Sequence, residues 1–161
     1  MVNLKIICVG KIKEKFMQDT LNEYIKKLSR FAKLEIIELA DEKIKENASF
    51  ADEEKVREIE SNKILNVLDK IGKTSVFLCD LNGKEYTSVE FSKSIENTLM
   101  ENSTITFIIG GSLGTSKILK DKIQNKICFS KMTFPHQLFR IFLTEQIYRA
   151  FKIINNETYH K

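Results

Sequence analysis

The chain has no tryptophan, one proline, six glycines and two histidines among 161 residues. Its three cysteines, Cys8, Cys79 and Cys128, lie far apart, each in or beside a β-like run, and none forms a C-x-x-C pair. An odd count with that spacing argues against a disulfide framework and against a zinc site. Buried free thiols are the expectation, and no bound metal. Long apolar runs are also missing: none approaches the roughly 20 residues that cross a bilayer. The first ten residues hold a short strand-like run, Ile6-Ile7-Cys8-Val9, and no signal-peptide pattern. The expected location is the cytoplasm, with no membrane partner. The length suits one domain over residues 1–161.

What is present is a globular balance of 42% apolar and 30% charged residues. The net charge of +4 is uneven. Residues 111–161 hold nine Lys/Arg against three acids, a local charge of +6, so residues 1–110 sum to −2. A basic C-terminal third fits a phosphate-bearing partner. By contrast, the stretch 41–60 carries eight acids and four bases and should be solvated.

Strand-like and helix-like segments alternate. Leu4–Val9 is β-branched and stops at Gly10, and Leu34–Leu39 alternates, so both read as strands. Between them, Met17, Leu21, Tyr24, Ile25, Leu28 and Phe31 follow a 3.6-residue period, which predicts a helix over about 14–31. A second helix is expected over Ala51–Ile71, stopped by Gly72. Ser75–Leu81 reads as a strand followed by an Asn82-Gly83 tight turn. A helix over about Val89–Met100, capped near Ser88, precedes the continuous apolar strand Thr104–Ile109. A short helix over about 116–124, a strand at Ile127–Ser130 and a long helix from Pro135 to about Ile154 complete the series. This order predicts an α/β fold, a mostly parallel sheet with helices on both faces. In the last helix, eleven of the seventeen residues 138–154 are apolar, more than one narrow stripe. A helix apolar on most sides is covered on most sides, and a second copy of the chain is the expected cover.

Three constellations carry chemistry. Gly110-Gly111-Ser112-Leu113-Gly114 follows a buried strand at once, where a ligand can approach the backbone. It is neither a Rossmann G-x-G-x-x-G nor a phosphate-binding P-loop. It also fits G-x-S-x-G, the nucleophile elbow of α/β-hydrolases, with Ser112 as nucleophile and Glu145/His160 or Asp121/His136 as formal partners. The chain is short for that fold, and no oxyanion loop of the HGGG type precedes the motif. The second constellation is Phe129-Ser130-Lys131-Met132-Thr133-Phe134-Pro135-His136-Gln137. Aromatic and Met side chains in a connector can wall an adenine-sized pocket, although Phe129 or Phe134 can equally plug the core. His136 and Arg140 are four residues apart and share a helix face. The third is the ending: Arg149-Ala150-Phe151-Lys152, then Tyr159-His160-Lys161, a set able to reach a base and its phosphate.

Together these segments resemble the RlmH family of the SPOUT superfamily. The resemblance rests on Ile108-Ile109-Gly110-Gly111-Ser112-x-Gly114, the 129–137 segment, Glu145-Gln146-x-Tyr148-Arg149-Ala150 and Tyr159-His160-Lys161. Val9-Gly10-Lys11 and Asp41-Glu42-Lys43 match as well, so the likeness spans the chain. It implies a SPOUT fold with a C-terminal trefoil knot, which the general rarity of knots would argue against. It implies a homodimer that uses S-adenosyl-L-methionine to methylate N3 of a pseudouridine in 23S ribosomal RNA within the assembled ribosome. Carried over by position, the cofactor contacts would be Cys79, Gly110, Phe129, Ser130, Lys131, Met132, Thr133 and Phe134. Similar proteins often carry an aliphatic residue at position 79, so that contact would run through the backbone.

On this reading His136, Arg140, Tyr148, Arg149, Tyr159 and His160 surround the target nucleotide, partly across the dimer. The N3 proton must leave, so His160 or His136 is expected to accept it. Arg140 and Arg149 would hold phosphates or stabilise the anion. An RNA-binding module without catalysis is the other reading that the basic C-terminal third allows.

Overall fold

Alternation along β1 (Val2–Val9) divides the core in two. Leu4, Ile6 and Cys8 point to one face and Ile7 and Val9 to the other, all buried. A strand buried on both faces belongs inside a parallel sheet, and β1 is flanked on both edges. The computed structural model describes residues 1–159, and every structural statement below concerns these. The remaining strands are β2 (Ala32–Leu39), β3 (Ser75–Glu85), β4 (Thr104–Ile109) and β5 (Lys126–Cys128). The order is β2-β1-β4-β3-β5, and all four pairings are parallel.

The helices are α1 (Lys15–Leu28), α2 (Phe50–Ile71), α3 (Ser88–Glu101), α4 (Lys117–Lys122) and α5 (His136–Ile154). On one face, Phe91 and Ile95 of α3 and Leu143, Ile147, Ala150 and Phe151 of α5 join Leu4, Phe107 and Phe77. On the other, Ile64 of α2 and Leu119 of α4 join Ile7, Leu78 and Ile108. Each fully buried Leu or Ile of this kind contributes about 1.5–3 kcal/mol. Helix α5 lies between α1 and α3, and its eight buried residues include Arg140 and Thr144.

The α/β reading and the parallel sheet therefore hold, with two local corrections. The chain does not turn back at Asn82-Gly83. β3 continues to Glu85, and both Cys79 and Lys84 pair with Ile127, so residues 80–83 arch out as a bulge. A tight hairpin turn needs an antiparallel partner, and β3 has none. The expected cap near Ser88 is there: Thr87 caps α3, its side chain accepting from Glu90 N–H while Glu90 accepts from Thr87 N–H. Finally, α4 and β5 are shorter than expected, because Ser116 caps α4 instead of entering it and β5 ends at Cys128.

Candidate functional site

The C-terminal ends of β3, β4 and β5 surround a cleft of about 360 Å³. Ligands of open α/β sheets bind at this edge, beyond the strand ends. One wall is the Gly110–Gly114 loop that leaves β4, closed by a hydrogen bond from Gly114 N–H to the Gly111 carbonyl, 3.0 Å. Helix α2 holds this loop from behind. Arg57 Nε donates to the Leu113 carbonyl at 2.9 Å, and Ser116 N–H donates to Ser61 Oγ at 2.9 Å. The Glu60 carboxylate lies against Gly111, where a Cβ would sit 2.7 Å from Oε1. Glu60 Oε2 accepts from Glu42 N–H, and burial pushes its carboxyl up. The acidic stretch 41–60 is thus not wholly solvated: Glu60 is 4% exposed. Its place on the inner face of α2 sets its burial, and its charge does not.

The opposite wall is the 129–134 connector. Phe129 packs edge-on against Phe139 (centroids 4.9 Å apart) and reaches Phe91, so it joins the core. Phe134 instead stays at the surface, edge-on to Phe142 at 5.5 Å. Ser130 Oγ accepts from Met132 N–H at 3.0 Å, tightening the loop and leaving Met132 exposed.

His136 opens α5 and lines the same cleft. Its ring lies over Gly10, where a Cβ would come within 2.8 Å of Cε1, so glycine is required there. Burial and the neighbouring Arg140 cation hold the imidazole below its ordinary pKa of 6.5, against a smaller opposing effect of Asp41. His136 Nδ1 is buried without a hydrogen-bond partner. Arg140 is 1% exposed. It donates to the Gly10 carbonyl at 3.1 Å and to Glu38 Oε2 at 2.7 Å, tying α5 to the ends of β1 and β2. Its guanidinium faces inward and is not presented to a phosphate.

Arg149 and Tyr159 lie elsewhere. Both line a groove of about 770 Å³ beside α1 and α5, together with Phe16, Met17, Phe142 and Glu145. Glu145 Oε1 accepts from Arg149 (2.6 Å) and from Tyr159 Oη (3.1 Å), and the guanidinium sits 4.8 Å from the Tyr159 ring centre. Burial, reinforced by the Glu145 charge, pushes the Tyr159 phenol up to about 12, so it is a donor near neutral pH. Tyr148 is buried beside it, ring centres 5.0 Å apart.

The cleft therefore brings together Cys79, Gly110, Phe129, Ser130, Met132, Thr133, Phe134 and His136. Lys131 belongs to the loop but does not line the cleft, and His160 lies outside the described residues. Phe129 and Phe134 also border the groove, so the two depressions share a wall. Ser112 is exposed and makes no hydrogen bond to a histidine or a carboxylate among the described residues, so no nucleophile–base pair is assembled there.

Sequence reasoning missed Asp80, whose side chain is 7% exposed in the cleft with Oδ2 lacking a hydrogen-bond partner. It also missed Glu38, Arg57 and Ser61. No local pattern marks their part in the site, because the partners that place them there lie 55 to 102 positions away. Among the described residues there is no cluster of His, Cys, Asp and Glu able to hold a metal ion. No helix among them is long and apolar enough to cross a membrane.

Residues 2–160 match the family model described as "Predicted SPOUT methyltransferase". The chain is 53% identical over 161 residues to "Ribosomal RNA large subunit methyltransferase H 1" of Clostridium perfringens, covering 99% of this chain and 100% of that protein. It is 52% identical over 163 residues to "Ribosomal RNA large subunit methyltransferase H" of Clostridium beijerinckii, with the same coverage. The identity to the protein of that name in Clostridium botulinum is 53%, again with the same coverage.

Proposed function

This chain belongs to the SPOUT methyltransferase family, and from that premise we propose that it transfers a methyl group from S-adenosyl-L-methionine to N3 of a pseudouridine in 23S ribosomal RNA, within the assembled ribosome. It is an enzyme. Identity of 52% and 53% along its length to proteins named for large-subunit ribosomal RNA methylation supports the substrate class. The observation that carries the reading to a site is the cleft at the β3, β4 and β5 ends, where a glycine turn faces an aromatic and thioether wall with His136 at its rim.

The residues present fit the cofactor. Phe129, Met132 and Phe134 supply apolar surface for an adenine, and the glycine turn offers backbone at close approach. Cys79 would contribute through its backbone, since burial pushes its thiol far up and keeps it neutral. Two buried polar atoms without partners, Asp80 Oδ2 and His136 Nδ1, border the cleft. When bound, S-adenosyl-L-methionine supplies an electrophilic sulfonium methyl. Alignment of the nucleophile behind it is a large part of the catalysis.

His136 is the proton acceptor in this account. It is neutral near pH 7 because burial and Arg140 disfavour the imidazolium, and it keeps a free ring nitrogen. Arg140 acts through His136 and Gly10 as a positioning residue. Arg149 offers a cation to RNA from the groove and Tyr159 its phenol oxygen as an acceptor, since its O–H goes to Glu145, which holds both side chains. His160 belongs to the same proposed set.

The chain acts as one domain and as a homodimer in the cytoplasm, where ribosomes lie. Support for the dimer comes from the groove's apolar lining and from Phe16 and Phe142, which are 65% and 40% exposed. A twofold pairing through this groove would place one protomer's Arg149 and Tyr159 near its partner's cleft. The C-terminal chain is proposed to thread a trefoil knot. The passage of Gly83 against the Lys126–Ile127 backbone supports a chain crossing there. With a net charge of only +4, the protein is a weak binder of free RNA, so the ribosome supplies much of the recognition surface.

Calorimetric titration with S-adenosyl-L-methionine, alone and with ribosomes present, tests the cofactor. Saturable binding is expected, and absence of binding in both settings refutes it. Light scattering should give twice the 18.7 kDa chain mass, and a concentration-independent monomer refutes the dimer.

A further inference from the structure

Asp80 and Lys120 face each other across the inner end of the cleft, and neither is explained by the reaction as described above. Asp80 is the first residue of the bulge within β3, and Lys120 comes from α4, which follows the glycine turn. Both line the cleft. The Asp80 side chain is 93% buried, yet only Oδ1 is satisfied, accepting from Asn82 N–H at 2.9 Å. Oδ2 is buried with no hydrogen-bond partner. The Lys120 ammonium stands 3.9 Å from Oδ2, beyond hydrogen-bond reach, and its side chain is 38% exposed. A buried carboxylate oxygen without a donor is costly unless a ligand completes it. The ammonium beside it makes no hydrogen bond among the described residues, which leaves it open to a second group.

We propose that Asp80 and Lys120 form a clamp for a zwitterionic α-amino acid, Asp80 Oδ2 accepting from the ligand's α-ammonium and Lys120 Nζ donating to its α-carboxylate. The inference rests on the cofactor reading, because the ligand it names is the amino-acid end of an adenosyl-sulfur compound. One carboxylate and one ammonium, separated and lining one end of the site, match both charges of that group at once. The nucleoside end is left to the Phe129–Phe134 wall.

The probes are S-adenosylhomocysteine, which carries the amino acid, and 5′-methylthioadenosine, which lacks it. Calorimetry gives the ratio of their affinities for the wild-type protein, for Asp80→Asn and for Lys120→Met. The wild type should prefer S-adenosylhomocysteine by about 100-fold, and each substitution should cut that preference about tenfold, the loss of one charge-assisted hydrogen bond. The ratio is insensitive to a general loosening of the cleft, which weakens both ligands alike. Lys120, on the surface of a short helix, provides a variant that folds even where Asp80→Asn does not. A preference unchanged in both variants overturns the clamp, as does a wild-type ratio near one, and either result leaves the cofactor reading intact. Binding of neither compound, with or without ribosomes, overturns the cofactor reading and the clamp with it.

Discussion

Substitution of Gly83 by alanine adds one methyl group where the β3 bulge passes against the β5 backbone. A Cβ there would lie 2.6 Å from both the carbonyl carbon and the amide nitrogen of Ile127, and 2.7 Å from the carbonyl carbon of Lys126. Atoms of this kind normally rest about 3.5–4.0 Å apart, so the bulge and β5 must separate by roughly 1 Å. No flexible side chain can absorb the shift, because every atom met is backbone. Overpacking costs typically about 1–3 kcal/mol, and the rigid neighbours put Gly83→Ala at the upper end, about 3 kcal/mol. For a chain of this length that lowers the melting temperature by about 6–12 °C. Gly72→Ala is the control. Gly72 has φ of +78° and ψ of −134° with nothing within 4 Å of its would-be Cβ, so only backbone strain of about 1–3 kcal/mol applies. Urea unfolding and a thermal melt of both variants decide the matter. Because β5 carries directly into the Phe129 wall, S-adenosylhomocysteine affinity should fall in Gly83→Ala and not in Gly72→Ala. A loss of stability in Gly83→Ala below about 1 kcal/mol, or below that of Gly72→Ala, refutes the reasoning.

Further predictions concern the site. His136→Gln should lower single-turnover methylation at least about 100-fold with little change in cofactor affinity, and a smaller loss removes His136 as proton acceptor. Because burial and Arg140 depress the His136 pKa below 6.5, the wild-type rate should rise with pH through a value below 6.5 and then stay level. The same sign makes the folded state disfavour the imidazolium, so the His136 contribution to stability is complete above pH 6.5 and declines on acidification, readable by urea unfolding at pH 7 and pH 5. Arg57→Ala removes the donor to the Leu113 carbonyl and should weaken cofactor binding by about tenfold in calorimetry, while unchanged binding means that α2 does not set the loop. Cys8 is buried with its thiol pushed up to about 11, and burial pushes Cys79 further still, so neither should react with iodoacetamide at pH 7.5 until the protein is unfolded, as mass spectrometry would report.

The fold was legible wherever the determining residues are neighbours in the chain. Four of the five residues from Ile105 to Ile109 are apolar, and the fifth, Thr106, is buried with them, because β4 is central in the sheet; that run with its glycine turn located the cleft directly. The 3.6-residue spacing of Leu21 and Leu28 and of the apolar residues of α5 reports burial against the sheet. Asn82-Gly83 misled because a pair favoured in turns is also what a bulge needs where another backbone passes close by. Arg140 reads from sequence as one more cation of a basic segment, yet Gly10 and Glu38, over a hundred residues away, turn it inward. Asp80 gave no signal at all, since a carboxylate near the end of a strand is usually solvated and its burial depends on the bulge and on α4. The strand order, with β4 between β1 and β3, also depends on long-range pairing that periodicity does not encode.

Methyl transfer to the ribosome tests the central claim most directly. Large-subunit RNA would be isolated after incubation of wild-type protein and labelled S-adenosyl-L-methionine with assembled ribosomes lacking the modification, and in parallel with the same RNA stripped of protein. Digestion and mass spectrometry should find one N3-methylated pseudouridine per ribosome and little or none on the stripped RNA. Label on neither substrate, or label at a different atom or nucleotide, contradicts the proposed reaction, and equal labelling of both contradicts the role given to the assembled ribosome.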